Sequence, residues 1–254
     1  MTEPSDAPAT DNGAGPARGS WSWRLKSAYV STARGAGKVL TAARILPKDP
    51  PPREQRVRHW LVSLTRVYDS VAVAELGVPW WTYDASAAVE RWLVERHRPI
   101  RVFEWGSGSS TIWLSPRVDE VVTVEHHEEF VGIISPHLDP LPNVTLRAVP
   151  AVPAASPRIG SSKKGSEALD FYDYVHAIDA EAEPFDLIVI DGRAREACLT
   201  AAIPHVKPDG LILFDDPHRA RYRKAIDDSG LDATFHKGLS PTIPYPVQTA
   251  LLTP

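Results

Sequence analysis

The residues best suited to chemistry fall in a few short stretches. Gly106, Ser107 and Gly108 form a Gly-x-Gly turn, with Glu104 before it and Ser109, Ser110 and Thr111 after it. Glycines without a Cβ let a backbone turn sharply and come close to a ligand. Asp191 closes one apolar run, and Asp215-Asp216-Pro217-His218 closes the next. These three carboxylates can converge at one edge of a sheet, and Asp191 or His218 suits proton transfer, histidine having its pKa near neutrality. Asp216-Pro217 also has the form of a helix N-cap followed by proline at the first helical position. Arg193 and Arg195, beside Asp191, read either as a bidentate clamp on an anionic substrate or as surface charges at a helix start.

The surrounding pattern supplies the elements that would position these groups. Short apolar runs recur at 100–105, 120–125, 144–147, 185–191, 211–215 and 247–252, separated by helical stretches, and this rhythm predicts a parallel sheet covered on both faces. Two helices are expected before it, over 53–69 and 85–97, with Trp80, Trp81 and Tyr83 packing between them. Residues 150–182 interrupt the rhythm with Pro-, Ser- and Lys-rich sequence and an aromatic run, either a lid over the ligand edge or simple decoration.

In this frame the glycine turn lies between a buried strand and a helix, and Glu125 follows Glu104 by about 20 residues at the end of the next strand. That is where a carboxylate can accept both ribose hydroxyls of an adenosine. NAD and S-adenosylmethionine share the arrangement. Thr111 stands where a dinucleotide fingerprint needs Gly or Ala under a pyrophosphate, which favours a ligand without a diphosphate. Glu104 would repel a diphosphate and suits an ammonium; its structural alternative is to brace the loop.

Residues 102–110, 121–126 and 185–192 resemble, in order, three motifs of the class I S-adenosylmethionine-dependent methyltransferases, and the resemblance extends from about Trp80 to the carboxyl terminus. It implies a Rossmann-like α/β fold, a mostly parallel sheet with helices on both faces. It also implies a cofactor site of Glu104, Gly106, Ser107, Gly108, Ser109, Ser110, Glu125 and His126, with Glu125 on the ribose and His126 near the adenine. Asp191, Asp215 and Asp216 are similar to the magnesium-holding acids of metal-dependent O-methyltransferases of the catechol and macrolide-sugar type. Gly192-Arg193-Ala194-Arg195 departs from the lysine-bearing pattern of the catechol enzymes, and Asp216 stands where many have Asn. After Asp191 the Pro-Pro-aromatic motif of adenine amino-methylating enzymes is missing. The resulting expectation is O-methylation of a hydroxylated small molecule or sugar, with Asp191 or His218 activating the hydroxyl.

Composition sets the outer bounds. The chain has 254 residues, 43% of them hydrophobic, enough for one sizeable α/β domain. Residues 1–20 have the composition of a disordered tail, 21–52 form a basic, helix-spaced segment and a Pro-rich linker, and 53–254 form the folded domain. A net charge of -4 gives no global reason to bind nucleic acid. The single Cys198 excludes an internal disulfide and fits a reducing compartment. No run of about 18 apolar residues and no secretory signal is present, so a cytoplasmic protein is expected. Within 21–46 all charges are positive and interleaved with aromatics, which would allow contact with an anionic membrane surface. The competing function classes are a non-catalytic Rossmann-like binding module docked through that segment, and an NAD-dependent enzyme.

Overall fold

The computed structural model describes residues 50–65, 73–74, 76–163 and 165–254. The expected tail and nearly all of the basic segment lie outside the described residues. The strands are β1 (Arg101–Trp105), β2 (Glu120–Glu125), β3 (Val144–Ala148), β4 (Val152–Pro153), β5 (Leu169–Asp170), β6 (Phe185–Ile190), β7 (Val206–Asp215), β8 (Asp232–Gly238) and β9 (Val247–Thr253). The helices are α1 (Arg56–Ser63), α2 (Tyr83–Val94), α3 (Ser109–Leu114), α4 (Glu128–Leu138), α5 (Tyr172–Val175), α6 (Arg195–Ala202) and α7 (Ala220–Asp228).

Seven strands form one sheet in the order β3-β2-β1-β6-β7-β9-β8, and β4 pairs with β5 apart from it. The pairings from β3 through β7 are parallel, while β9 runs antiparallel to both β7 and β8. This is the expected Rossmann-like α/β architecture. Strand order reverses between β1 and β6, so the crevice of the sheet opens at their carboxyl ends, where open α/β sheets bind ligands.

Both faces of the sheet are covered, which is why β6 reads Phe-Asp-Leu-Ile-Val-Ile without solvent-facing positions and is buried along its whole length. Alternate residues serve different layers. Phe103, Trp105, Ile188, Ile190, Ile212 and Phe214 pack with Cys198 and Leu199 of α6 and with Phe171 and Tyr174. Val102, Leu187, Val189, Leu211 and Leu213 pack with Trp81, Val89, Trp113 and Leu114 on the opposite face. Trp81 is fully buried, in keeping with the core role expected for the aromatic cluster; Trp80 is half-buried and its Nε1 donates to Thr242 Oγ1 at 2.8 Å. Helix α2 starts at Tyr83 because Thr82 caps it, its side chain accepting from Ala85 N at 3.3 Å.

Several sequence expectations change. Helix α1 ends at Ser63 within the described residues, and 66–72 lie outside them. Strand β7 starts at Val206, five residues earlier than the apolar run indicates, and β8 has no apolar run at all. Residues of β8 are half-buried or exposed, as an edge strand allows, so Asp-Ala-Thr-Phe-His-Lys-Gly carries little hydrophobic signal. The interrupting segment is built into the domain. Arg158 Nε meets Asp170 Oδ2 at 2.9 Å, Phe171 N donates to Ile159 O at 2.9 Å, and Phe171, Tyr174 and Ile178 are fully buried. Asp216-Pro217 is not a helix cap: α7 begins at Ala220 after Arg219, and Asp216 has φ +56°. No helix among the described residues is long and apolar enough to cross a membrane.

Candidate functional site

Register aligns the sheet's chemistry in one row. Trp105 pairs with Val124 and Ile190, and Ile190 pairs with Phe214, so the residues one step further, Glu125, Gly106, Asp191 and Asp215, follow one another across the carboxyl edge. At about 4.8 Å per strand the row spans roughly 14 Å, room for an elongated ligand.

The glycine turn is held tightly against β6. Gly106 has φ +96°, and a Cβ there would lie 3.0 Å from Asp191 C, Asp191 O and Gly192 Cα, all backbone atoms. Gly106 N donates to Val124 O at 2.9 Å, and Asp191 N donates to Trp105 O at 3.0 Å. Only glycine meets both the positive φ and the close approach. Gly192 is crowded as well, since a Cβ there would run into the Tyr174 hydroxyl and lie 3.2 Å from Trp105 C.

Glu104 is fully buried and points into the turn rather than into open space. Ser110 Oγ donates to its Oε1 and Thr111 Oγ1 to its Oε2, while Thr111 Oγ1 accepts from Gly108 N at 2.9 Å. Burial pushes the Glu104 carboxyl up to about 7, against the lowering effect of these hydroxyls. Glu104 therefore braces the loop, and Thr111 gains a structural reason that the sequence did not show.

Glu125 ends β2 nearly buried. Its Oε1 accepts from His126 N and His127 N at 2.9 Å each, and lies 2.9 Å from His126 Nδ1. Its Oε2 faces the glycine turn, 3.5 Å from Ser107 Oγ. One oxygen thus fixes the turn into α4 while the other looks across at the glycine loop. The His126 ring packs edge-on to Tyr174 at 5.4 Å and tilted on Phe171 at 5.6 Å. These aromatics come from the interrupting segment, whose run 171–174 was the available signal.

The acids of β6 and β7 converge on Arg195. Its Nη2 donates to Asp191 Oδ1 at 2.7 Å and Asp191 O at 3.2 Å, its Nε to Gly192 O at 3.1 Å, and its Nη1 to Asp215 O. Asp215 Oδ2 is 3.8 Å from Nη1, and its Oδ1 accepts from Thr249 Oγ1 at 2.9 Å. Arg195 is buried, which corrects its reading as a surface charge or a substrate clamp. Asp191 lies outside α6, which begins at Arg195, so no helical spacing signalled this pair. Burial raises both carboxyls: for Asp191 the charges of Arg195 and Arg193 and a hydrogen bond with Asp215 oppose it while Asp216 adds to it, and for Asp215 the charges of Asp191 and Asp216 add to it while Arg195 opposes it. Asp216 Oδ1 lies 3.3 Å from Nδ1 of the exposed His218.

These geometries fit an adenosine-bearing cofactor: a Cβ-free cradle at Gly106, and a carboxylate oxygen of Glu125 turned toward it. They do not fit magnesium at the three acids, because the Arg195 guanidinium already acts as counter-ion between Asp191 and Asp215. Among the described residues, no group of three or more His, Cys, Asp and Glu side chains is arranged to hold a metal ion.

No family model matches the chain, and no curated protein is similar to it in sequence. Solved structures share its layout. One is a precorrin-6y C5,15-methyltransferase from Geobacter metallireducens, 16% identical at a TM-score of 0.45, over 66% of this chain and 87% of that one. Another is an rRNA methylase from Streptococcus thermophilus, 12% identical at 0.46, over 65% and 93%. A third is a ribosomal protein L11 methylase from Lactobacillus delbrueckii subsp. bulgaricus, 15% identical at 0.43, over 72% and 77%. The similarity is one of chain layout and assigns this chain no substrate.

Proposed function

We propose that this chain is an S-adenosylmethionine-dependent methyltransferase acting on the hydroxyl of a small molecule or sugar. The observation that carries the reading is the face-to-face placement of Glu125 Oε2 and the Gly106–Gly108 turn across the crevice between β2 and β1. Glu125 would accept the ribose hydroxyls, Gly106, Ser107 and Gly108 would let the backbone approach, and His126, backed by Phe171 and Tyr174, would border the adenine. Glu104 acts indirectly, through Ser110 and Thr111, by fixing the loop's shape, and Ser109 follows Gly108 at the start of α3. When bound, the cofactor supplies a sulfonium methyl for in-line transfer to a nucleophilic oxygen.

The chain's own residues then have to place and deprotonate the acceptor. Asp191 sits beside the glycine turn with its carboxyl raised by burial, and a carboxylate of raised pKa is a better proton acceptor near neutrality. Arg195 keeps Asp191 aimed by holding both its carbonyl and its carboxylate. His218, exposed and backed by Asp216, provides an exit for the proton to solvent. Asp216 holds a left-handed backbone, a conformation that concentrates at functional sites.

Calorimetric titration with S-adenosylmethionine, S-adenosylhomocysteine and NAD tests the reading. Binding of the first two without NAD is expected, and binding of NAD alone overturns it. Methyl incorporation into extractable metabolites, rather than macromolecules, tests the acceptor class.

A further inference from the structure

Backbone strain gathers at one edge of the sheet. Among the described residues, the non-glycine residues with positive φ are Ala194 at +50°, Asp216 at +56° and Thr242 at +64°. Ala194 follows Asp191 beyond the end of β6, Asp216 follows Asp215 beyond β7, and Thr242 lies in the loop 239–246 between β8 and β9. Gly238 pairs with Val247 and Asp215 pairs with Thr249, so that loop stands at the same carboxyl edge as the acids. Thr242, being β-branched, is the least suited of the three to a left-handed backbone. Such strain persists only where the surroundings over-determine it, and it concentrates at ligand sites.

Residues distant in sequence hold Thr242 in place. Its N donates to Ser63 Oγ of α1 at 2.8 Å, and its Oγ1 accepts from Trp80 Nε1 at 2.8 Å. Trp60 Nε1, also in α1, donates to Ile243 O at 2.8 Å, Ser240 Oγ donates to Trp80 O at 2.6 Å, and Tyr83 N donates to Leu239 O at 3.0 Å. The stretch that latches the loop also reaches the acids: Thr82 N donates to Thr249 Oγ1 at 3.2 Å, and Thr249 Oγ1 donates to Asp215 Oδ1 at 2.9 Å. Pro241, Pro244 and Pro246 stiffen the loop, and 239–246 carries no charged side chain. Glycine at 242 would relieve the backbone but leave Trp80 Nε1 without its acceptor. What the strain preserves is therefore the Thr242 hydroxyl, which pins a half-buried indole near the acids.

We propose that the loop 239–246 is the acceptor-side wall of the crevice, with Thr242 as the positioning residue that holds the Trp80 indole for an uncharged, ring-bearing methyl acceptor. That an acceptor occupies this end rests on the proposed methyl transfer; the latch of the loop to α1 and Trp80 does not. An indole fixed by its one polar group is a rigid apolar surface that suits the face of a sugar or an aromatic ring. The wall adjoins Asp215, so a ring held there would keep its hydroxyl on the side of Asp191 and the glycine turn.

Methyl transfer from S-adenosylmethionine by the full-length protein tests this, the acceptor probe being a cell's extracted small metabolites, split on ion-exchange resins into retained and unretained fractions. Incorporation is expected in the unretained fraction. Thr242→Gly should raise the amount of that fraction needed for half-maximal rate about fivefold, the loss of one hydrogen bond, with the maximal rate changed less. Thr242→Asn keeps an acceptor for Trp80 Nε1 at a φ that Asn tolerates, and should recover the parent behaviour. A merely structural Thr242 predicts the reverse order, because glycine fits φ +64° best. Thr242→Gly matching the parent, or incorporation confined to the retained fraction, overturns the proposal. If Thr242→Gly melts below the assay temperature, Trp80→Phe removes the same hydrogen bond from the other side. Amide hydrogen exchange over 239–246 tests the latch without any acceptor: Ser63→Ala should speed it severalfold, and unchanged exchange overturns the latch. S-adenosylhomocysteine calorimetry keeps the readings apart. If it binds while the parent labels neither fraction, the acceptor assignment fails; if it does not bind, the methyltransferase reading fails, and the exchange result alone decides the latch.

Discussion

Arg195 Nη2 donates to Asp191 Oδ1 at 2.7 Å, and through its other nitrogens the same guanidinium reaches Gly192 O and the Asp215 carbonyl. One buried side chain thus ties the ends of β6 and β7 together and neutralises the acids that stand there. Arg195→Met leaves those carboxyls buried without their cation, and breaking one partner of a buried pair costs about 3–5 kcal/mol. Urea denaturation should show a fall of that order. A midpoint equal to the parent protein's would overturn the assignment of Arg195 as counter-ion.

Glu104 gives the fold a pH dependence of known sign. Its folded pKa, about 7, lies above the ordinary carboxylate value of 4.5, so its contribution to stability is fully present below 4.5 and is lost as pH rises through 7. A shift of that size corresponds to about 3 kcal/mol. Glu104→Gln stays neutral and should not lose stability over that window, so the difference between the two proteins should change with pH between 4.5 and 7. A constant difference from pH 4 to 8 refutes the buried-carboxylate account.

Glu125→Ala should weaken S-adenosylhomocysteine binding by about 1.5–3 kcal/mol, the value of hydrogen bonds to a charged acceptor. Because Oε1 also holds His126 N and His127 N, Glu125→Gln is the companion variant: it keeps an acceptor for the turn while losing the charge. Calorimetry showing parent-like affinity in both would remove Glu125 from the cofactor site.

Gly106→Ala must place a Cβ 3.0 Å from backbone atoms of Asp191 and Gly192 at φ +96°, where no flexible side chain can yield. Strain of about 1–3 kcal/mol and loss of cofactor binding are expected. Gly77→Ala is the control, since its φ of +69° imposes the backbone cost but nothing lies within 4 Å. Equal melting temperatures for the two variants would show that close approach to β6 is not what Gly106 provides.

Asp216 separates backbone from chemistry. At φ +56° Asn is tolerated far better than other non-glycine residues, so Asp216→Asn should keep its stability. Turnover should nonetheless fall, as the imidazole of His218 loses the carboxylate 3.3 Å away. Unchanged turnover assigns the pair no part in proton transfer.

By itself, the sequence determined the sheet, the glycine turn and the residues that line its ligand edge. Short apolar runs at β1, β2 and β6, alternating with helical stretches, fit buried parallel strands, and Gly106 and Gly108 mark where backbone, not side chain, approaches a partner. Local pattern could not show what depends on distant segments meeting. Edge strand β8 carries no apolar run, because solvent on one side removes the need for it. Asp216-Pro217 looked like a cap, yet the antiparallel return of β9, with Gln248 O accepting from Asp216 N at 3.1 Å, holds that residue out of the helix. Whether the acids at these strand ends meet a metal or a guanidinium is decided by side chains that converge only when β6, β7 and the start of α6 pack at one edge.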